Sequence, residues 1–186
     1  MDYKQLVKNC LKGNAEAQKD LYNHFAASMF GICYRYTKSA ADAEDVLQEG
    51  FIKIFHNLHK YRQEGELGAW VRRIMVNAAL NYLKQNKRYS SDLSYDEMNL
   101  HPVSAENPVI MLQAKEIADL IRQLPTGCQT IFNLHAVEGY THVEIGEMLG
   151  IHEGTSRSQY ARARSIMISW LEKRNENKKQ KRYAGK

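Results

Sequence analysis

The 186-residue sequence has no apolar run approaching the ~20 residues a membrane span needs. Met1 to Lys12 also lacks the basic-then-apolar order of a secretory signal, so no membrane insertion is expected and the chain is expected to stay in the cytoplasm. Cysteine is scarce. Cys10, Cys33 and Cys128 lie far apart, form no CxxC or Cys/His pattern and sit among apolar neighbours, which predicts reduced, partly buried thiols and no zinc site. Strand-type alternation of useful length is missing, as is any internal repeat. Paired carboxylates, metal-ligand spacings, Ser/His/Asp sets and phosphate-cradling glycine loops are absent too, so neither an enzyme nor a cofactor is expected. His135 and His142 flank a turn, but His135 reads as packed or exposed rather than as a ligand.

What is present is an ordinary folded composition, 44% apolar and 25% charged, in a chain long enough for one domain or two small ones. The net charge of +5 invites a nucleic-acid reading. The tail from Glu172 to Lys186, with seven basic and two acidic residues, accounts for all of it. Any case for DNA must therefore rest on where the charges lie, and they are segregated.

From Tyr3 to Arg88 the pattern is helical. Tyr3, Leu6, Val7, Cys10 and Leu11 recur at helix spacing up to Gly13, and Asn14 can cap a helix carrying Ala17, Leu21, Phe25 and Met29. Asp42 can cap the next, with Ala43, Val46, Leu47, Gly50, Phe51, Ile54 and Phe55 on one apolar face and Glu44, Asp45, Gln48, Glu49 and Lys53 largely elsewhere. Gly65 and Gly68 bracket a predicted loop, after which Trp70, Ile74, Ala78 and Leu80 or Tyr82 continue a helical period. Between Val71 and Arg88 the charges are Arg72, Arg73, Lys84, Lys87 and Arg88, with no carboxylate. Residues 90–108 then change character: serines, Pro102, Pro108, Asp92, Asp96, Glu97 and Glu106 appear without a lysine or arginine, as in an acidic linker. Helical periodicity resumes with Ile117, Leu120, Ile121 and Leu124, breaks at Pro125 and Gly127, and runs on through Ile131, Leu134 and His135 to Gly139.

Leu124 to Leu171 has the order of a helix-turn-helix. Thr141 and Glu144 form a capping box; Ile145, Met148 and Leu149 point inward; Gly146 suits a close helix crossing; Gly150 suits a left-handed turn; Ile151 plugs the corner. A second helix is predicted from about Glu153 to Leu171, with Ser156, Tyr160, Ala163, Met167 and Trp170 or Leu171 inward. Ser156 is polar at a position usually aliphatic, and Tyr160 is expected to supply the missing bulk. The outer face is read as Thr155, Arg157, Ser158, Gln159, Arg162 and Arg164. Arg and Gln can each bond a purine edge twice in the major groove, and Ser or Thr can bind phosphate.

Three segments resemble the extracytoplasmic-function group of bacterial sigma factors, the small two-domain members of the sigma-70 family. DAEDVLQEGFIKIFHNLHKY, Asp42 to Tyr61, is similar to the family's polymerase-clamping helix. GAWVRRIMVNAALNYLKQNKR, Gly68 to Arg88, resembles its promoter-melting segment, and LPTGCQTIFNLHAVEGYTHVEIGEMLGIHEGTSRSQYARAR, Leu124 to Arg164, resembles its upstream-element reader.

The resemblance implies an all-α fold of two small helical domains: a region 2-like bundle at 1–89, the linker at 90–108, a region 4-like helix-turn-helix domain at 109–173 and a basic tail at 174–186. It implies that Asp45, Gln48, Glu49, Phe51 and Ile54 dock on the coiled coil of the polymerase β′ subunit, with the β flap as a further contact. The minus-10 element is assigned to Tyr61, Glu64, Leu67, Arg73, Asn77, Lys84 and Arg88, the loop Tyr61–Leu67 taking a flipped base. Trp70 reads as core, and Asn77 as either a base contact or a buried hydrogen-bonding residue. The minus-35 element is assigned to Arg157, Ser158, Gln159 and Arg162, with Thr155 and Arg164 nearer phosphate. Gln159 stands where some relatives have arginine, and Ala161 where some have a bulky residue, so promoter preference does not transfer. The linker would thread toward the RNA exit path or act as a tether, and the tail would attract DNA or only solubilise. The implied function is a specificity subunit that binds core RNA polymerase and reads two promoter elements, with an anti-sigma factor as an expected partner. The alternatives are a sigma-like decoy that sequesters an anti-sigma factor, and a stand-alone dimeric repressor.

Overall fold

A computed structural model describes residues 2–85 and 114–184, with side chains described up to residue 174. The acidic linker at 90–108 and the basic residues Lys87 and Arg88 lie outside the described residues. Every regular element among those described is helical, and the chain divides into two compact units, 1–87 and 88–186. No helix among the described residues is long and apolar enough to cross a membrane.

The first unit begins with α1 (Tyr3–Leu11), whose N-cap Asp2 accepts from the backbone N–H of Lys4 and Gln5. Gly13 takes φ +78° to turn the chain, and Asn14 caps α2 (Ala15–Tyr36) by accepting from Ala17 N at 2.9 Å. The cap of α3 (Ala40–Asn57) is Ser39, not Asp42: Ser39 Oγ accepts from Asp42 N at 3.0 Å, so Asp42 sits in the first turn, where its charge suits the positive helix end. A single 3-10 turn (Leu58–Lys60) and a loop lead to α4 (Leu67–Gln85), so Gly68 falls inside the helix, with Phe25 against it.

Helices α2, α3 and α4 pack on one another, and α1 covers α2. Leu21, Tyr36, Ile54 and Met75 are fully buried there, each aliphatic side chain contributing about 1.5–3 kcal/mol by leaving water. Gly50 lies where a Cβ would overlap the Met75 sulfur, which lets α3 approach α4. The inward seam of α4 runs through Val71, Met75, Ala78 and Ala79, one residue out of phase with the expected Trp70 and Ile74. Those two are half-buried, because a helix gripped by both α2 and α3 buries a wide face. Cys10 and Cys33 are buried in this core; burial is the main cause raising both thiols, Cys33 to about 12, so neither is a ready thiolate.

The second unit contains α5 (Ala114–Gln123), α6 (Thr126–Phe132) continuing into a π-helical turn (Asn133–Val137), α7 (His142–Leu149) and α8 (Glu153–Ala184). Leu120, Ile121 and Leu124 meet Cys128, Ala163 and Met167 in its core. Helix α8 runs past the expected end at Leu171, and Arg174 reaches back to Glu116 of α5, Nη2 to Oε1 2.6 Å.

The capping box forms: Thr141 Oγ1 accepts from Glu144 N at 3.2 Å, and Glu144 Oε2 accepts from Thr141 N at 2.8 Å. The Thr141 N–H, and after it the Thr141 hydroxyl, which donates to the same Oε2 at 2.8 Å, hold the Glu144 carboxyl below its ordinary pKa. Gly150 adopts φ +68°, and a Cβ on Gly146 would stand 2.9 Å from the Ile151 carbonyl oxygen. The obstacle is backbone, which cannot swing aside. Gly146→Ala is therefore expected to destabilise the second unit by about 1–3 kcal/mol, read as an earlier denaturant midpoint for the full chain.

Candidate nucleic-acid interfaces

Helix α8 starts after His152, whose ring Nδ1 accepts from Gly154 N at 3.0 Å. Arg157, Ser158, Ala161 and Arg164 are exposed along one seam, with Thr155 and Arg162 half-buried on its flanks. From Gly154 to Leu171 the helix carries no carboxylate, so the seam is positive. Arg157 is held by Glu153, Nε to Oε1 3.0 Å, with Nη2 on the same oxygen.

Gln159 does not belong to this seam. Two residues from Arg157, it is turned about 200° around the helix. It is 7% exposed, and its Oε1 accepts from the Cys128 thiol at 2.9 Å. Helix spacing was sufficient to exclude it. Ser156, the polar residue at an aliphatic position, is fully buried and hydrogen-bonded to His142 Nδ1 at 2.8 Å. His142 stacks on His135 with centroids 4.1 Å apart, and His135 Nδ1 donates to the Tyr140 carbonyl at 2.8 Å. Tyr160 closes the group, 4.6 Å from His135 and 5.9 Å from Phe132. The two half-buried histidines thus join the π-helical turn after α6 to α7 and α8. Burial, then His135 and Arg157, push the His142 pKa down, while Glu153 acts weakly the other way.

In the first unit the loop 61–66 is braced by Tyr61, whose hydroxyl donates to the Gly65 carbonyl at 2.8 Å and whose ring lies 5.6 Å from Trp70. Gln63 sits at φ +59°, a left-handed conformation uncommon for a residue with a Cβ. The loop and the start of α1 enclose a cavity of about 510 Å³ that includes Asp2, Tyr3, Lys4, Tyr61, Gln63 and Glu66. Glu64 is exposed beside it. Leu67, expected at the base site, is 2% exposed because α4 turns it toward the core, yet it also lines this cavity. Arg73, Asn77 and Lys84 are all exposed along one stripe of α4, which settles Asn77 as a surface residue. Arg88 lies outside the described residues.

On α3, Asp45 and Gln48 are exposed, and Glu49 pairs with Lys53. Phe51 and Ile54 cannot join an outward surface. They are 3% and 0% exposed, on the seam of Val46, Leu47 and Gly50, with the Phe51 ring 4.6 Å from Tyr22. The apolar residue on the outward face is Ile52, 69% exposed, four residues after Gln48 and three after Glu49. That spacing was the signal that could have found it.

Residues 21–89 match the family model for Sigma-70 region 2, and residues 114–167 that for Sigma-70, region 4. The chain is 30% identical over 173 residues to the ECF RNA polymerase sigma-E factor of Haemophilus influenzae, covering 87% of this chain and 91% of that one. It is 26% identical over 182 residues to the ECF RNA polymerase sigma factor SigW of Bacillus subtilis, covering 92% and 97%. Among solved structures, the sigma factor RpoE of Bartonella quintana, crystallised with the anti-sigma factor NepR, shares the fold with a TM-score of 0.52 at 18% identity, covering 83% of this chain and 98% of that one.

The half-buried His142 gives a pH signature. With its folded pKa depressed, His142 takes up a proton more readily when unfolded. Its contribution to stability is therefore full above the ordinary imidazole value of about 6.5 and is lost as pH falls below it toward the folded pKa. Urea denaturation of the full chain in a pH series should show that loss, and His142→Asn, which keeps a polar partner for Ser156 without titrating, should flatten it.

Proposed function

The chain belongs to the extracytoplasmic-function sigma factors of the sigma-70 family, subunits that direct transcription by RNA polymerase, and from that premise we propose how its two units divide promoter recognition. The second unit reads the minus-35 element with the outer seam of α8: Arg157, Ser158 and Arg162 toward bases, Thr155 and Arg164 toward phosphate. The observation that carries this assignment is the carboxylate-free, exposed seam from Arg157 to Arg164, set opposite a fully packed inner face. Arginine can bond guanine O6 and N7 together, whereas Gln159, already bonded to Cys128, plays no part.

The first unit binds core polymerase through the outward face of α3, where Asp45, Gln48 and Glu49 surround Ile52. Carboxylates around one exposed apolar anchor suit the basic coiled coil of β′. The β flap is the counterpart expected for the second unit. The loop 61–66 takes a flipped minus-10 base, with Tyr61 and Glu64 at the site, and Arg73, Asn77 and Lys84 run beside it along α4. Linking two weak readers on one polymerase raises affinity through effective concentration, so neither unit need bind DNA tightly alone. An anti-sigma factor is the proposed regulator, and the cytoplasm, where polymerase works, the proposed location. Exposed basic residues at both reading surfaces favour this account over a decoy that binds only an anti-sigma factor.

Purified chain added to core polymerase should give promoter-specific run-off transcripts from a genomic promoter library, and silence on every promoter with anti-sigma factor absent would overturn the proposal. Arg157→Ala and Arg162→Ala should each cost about 1–3 kcal/mol at the upstream element, whereas Gln159→Ala should leave its sequence preference unchanged. Ile52→Asp, at an exposed position, should weaken core binding by more than about 1 kcal/mol without loss of helicity.

A further inference from the structure

Helix α1 carries Lys4 and Lys8, and Lys12 is its C-cap; at four-residue steps the three share one face, each about 6 Å along the axis from the last. All three are exposed, no carboxylate lies between Tyr3 and Gly13, and none of the three ammonium groups makes an ion pair with a described residue. The helix is held rigidly beneath them. Leu6, Val7 and Cys10 are buried, the Tyr3 hydroxyl bonds His24 Nε2 at 2.7 Å, and the Tyr3 ring stacks 6.2 Å from Phe25.

The lysine face is continuous with the loop 61–66. A second depression, lined by Lys4, Lys8, Leu11, Lys12 and Gln63, adjoins the loop cavity and shares Asp2, Lys4 and Gln63 with it. The two parts differ in charge. Inside the loop cavity the Glu66 carboxylate can accept from an exocyclic amino group of a base but repels phosphate, while Asp2 is occupied by its own helix end. Phosphates of a nucleotide whose base enters that cavity are better placed outside it, where the cations are Lys4, Lys8 and Lys12 of α1 together with Arg62 on the loop itself.

We propose that Lys4, Lys8 and Lys12 hold successive phosphates of a single DNA strand that leaves the loop 61–66 and runs along α1. The inference rests on the loop's assignment to base capture. It adds a phosphate track on the N-terminal helix to the cationic stripe of α4.

The test uses the full chain in complex with core polymerase, and two labelled probes: a mixed-sequence single-stranded DNA oligonucleotide and a promoter duplex pre-opened over its downstream element. Affinity is measured across a salt series. The triple variant Lys4→Gln, Lys8→Gln, Lys12→Gln should bind both probes more weakly at low salt, with the slope of log affinity against log salt reduced by about 0.7 for each lysine that holds a phosphate. The triple Lys→Arg variant should keep both affinity and slope. Unchanged slope in the Gln variant overturns the proposal, as does loss of polymerase binding with DNA affinity intact, which would mark the stripe as a protein-docking face. Tyr61→Ala separates the two readings. If it leaves opened-promoter binding unchanged while the lysine variant still lowers the slope, base capture by the loop is wrong and the phosphate track stands.

Discussion

Helix α8 keeps Arg157, Ser158 and Arg164 at the surface only while its opposite side is held against α6 and α7. At the crossing that hold is a polar bond from the buried Ser156 to His142, beside stacked His135 and His142 rings with Tyr160 set edge-on and tilted against them. A buried hydroxyl without a partner would destabilise the fold, so the bond fixes the rotation of α8 about its own axis as well as its position. An aliphatic residue at 156 would pack but would not specify rotation in this way. Gly146 sets the distance between α7 and the turn, and the capping box fixes where α7 begins.

In the first unit the same logic is carried by apolar shape. The wide inward face of α4, gripped by α2 and α3, determines which of its residues remain outside, and Arg72, Arg73, Asn77, Asn81 and Lys84 are among them. Phe51 and Ile54 hold from within the α3 face that displays Ile52.

What could be read from the sequence was what is local. The capping box, the left-handed Gly150, the small residue at Gly146 and the Asn14 cap each follow from neighbours a few residues apart, and each stands where the spacing puts it. Roles that belong to one side of a segment are legible only through the angle around the helix. Gln159, Phe51 and Ile54 all lie on inward phases that the spacing itself encodes. Ser39 and Asp42, three residues apart, offer the same capping chemistry, and the chain uses the first. The Ser156–His142 bond was beyond local reading altogether. It joins residues 14 apart across a turn, and only packing brings them together.

The ion pair between Arg157 and Glu153 bears on how the upstream reader searches. A guanidinium already answered by a carboxylate on its own helix is partly masked from passing phosphates, and exchanging that partner for another phosphate gains little, because exposed pairs of this kind differ by less than about 1 kcal/mol. A guanine edge offers two acceptors in the plane of the fork, which a lone carboxylate oxygen does not match. Under the proposed reading of the upstream element, the masked arginine would shorten residence on wrong sequences more than on right ones, a helix that carries its own competitor trading some strength of adhesion for speed of scanning.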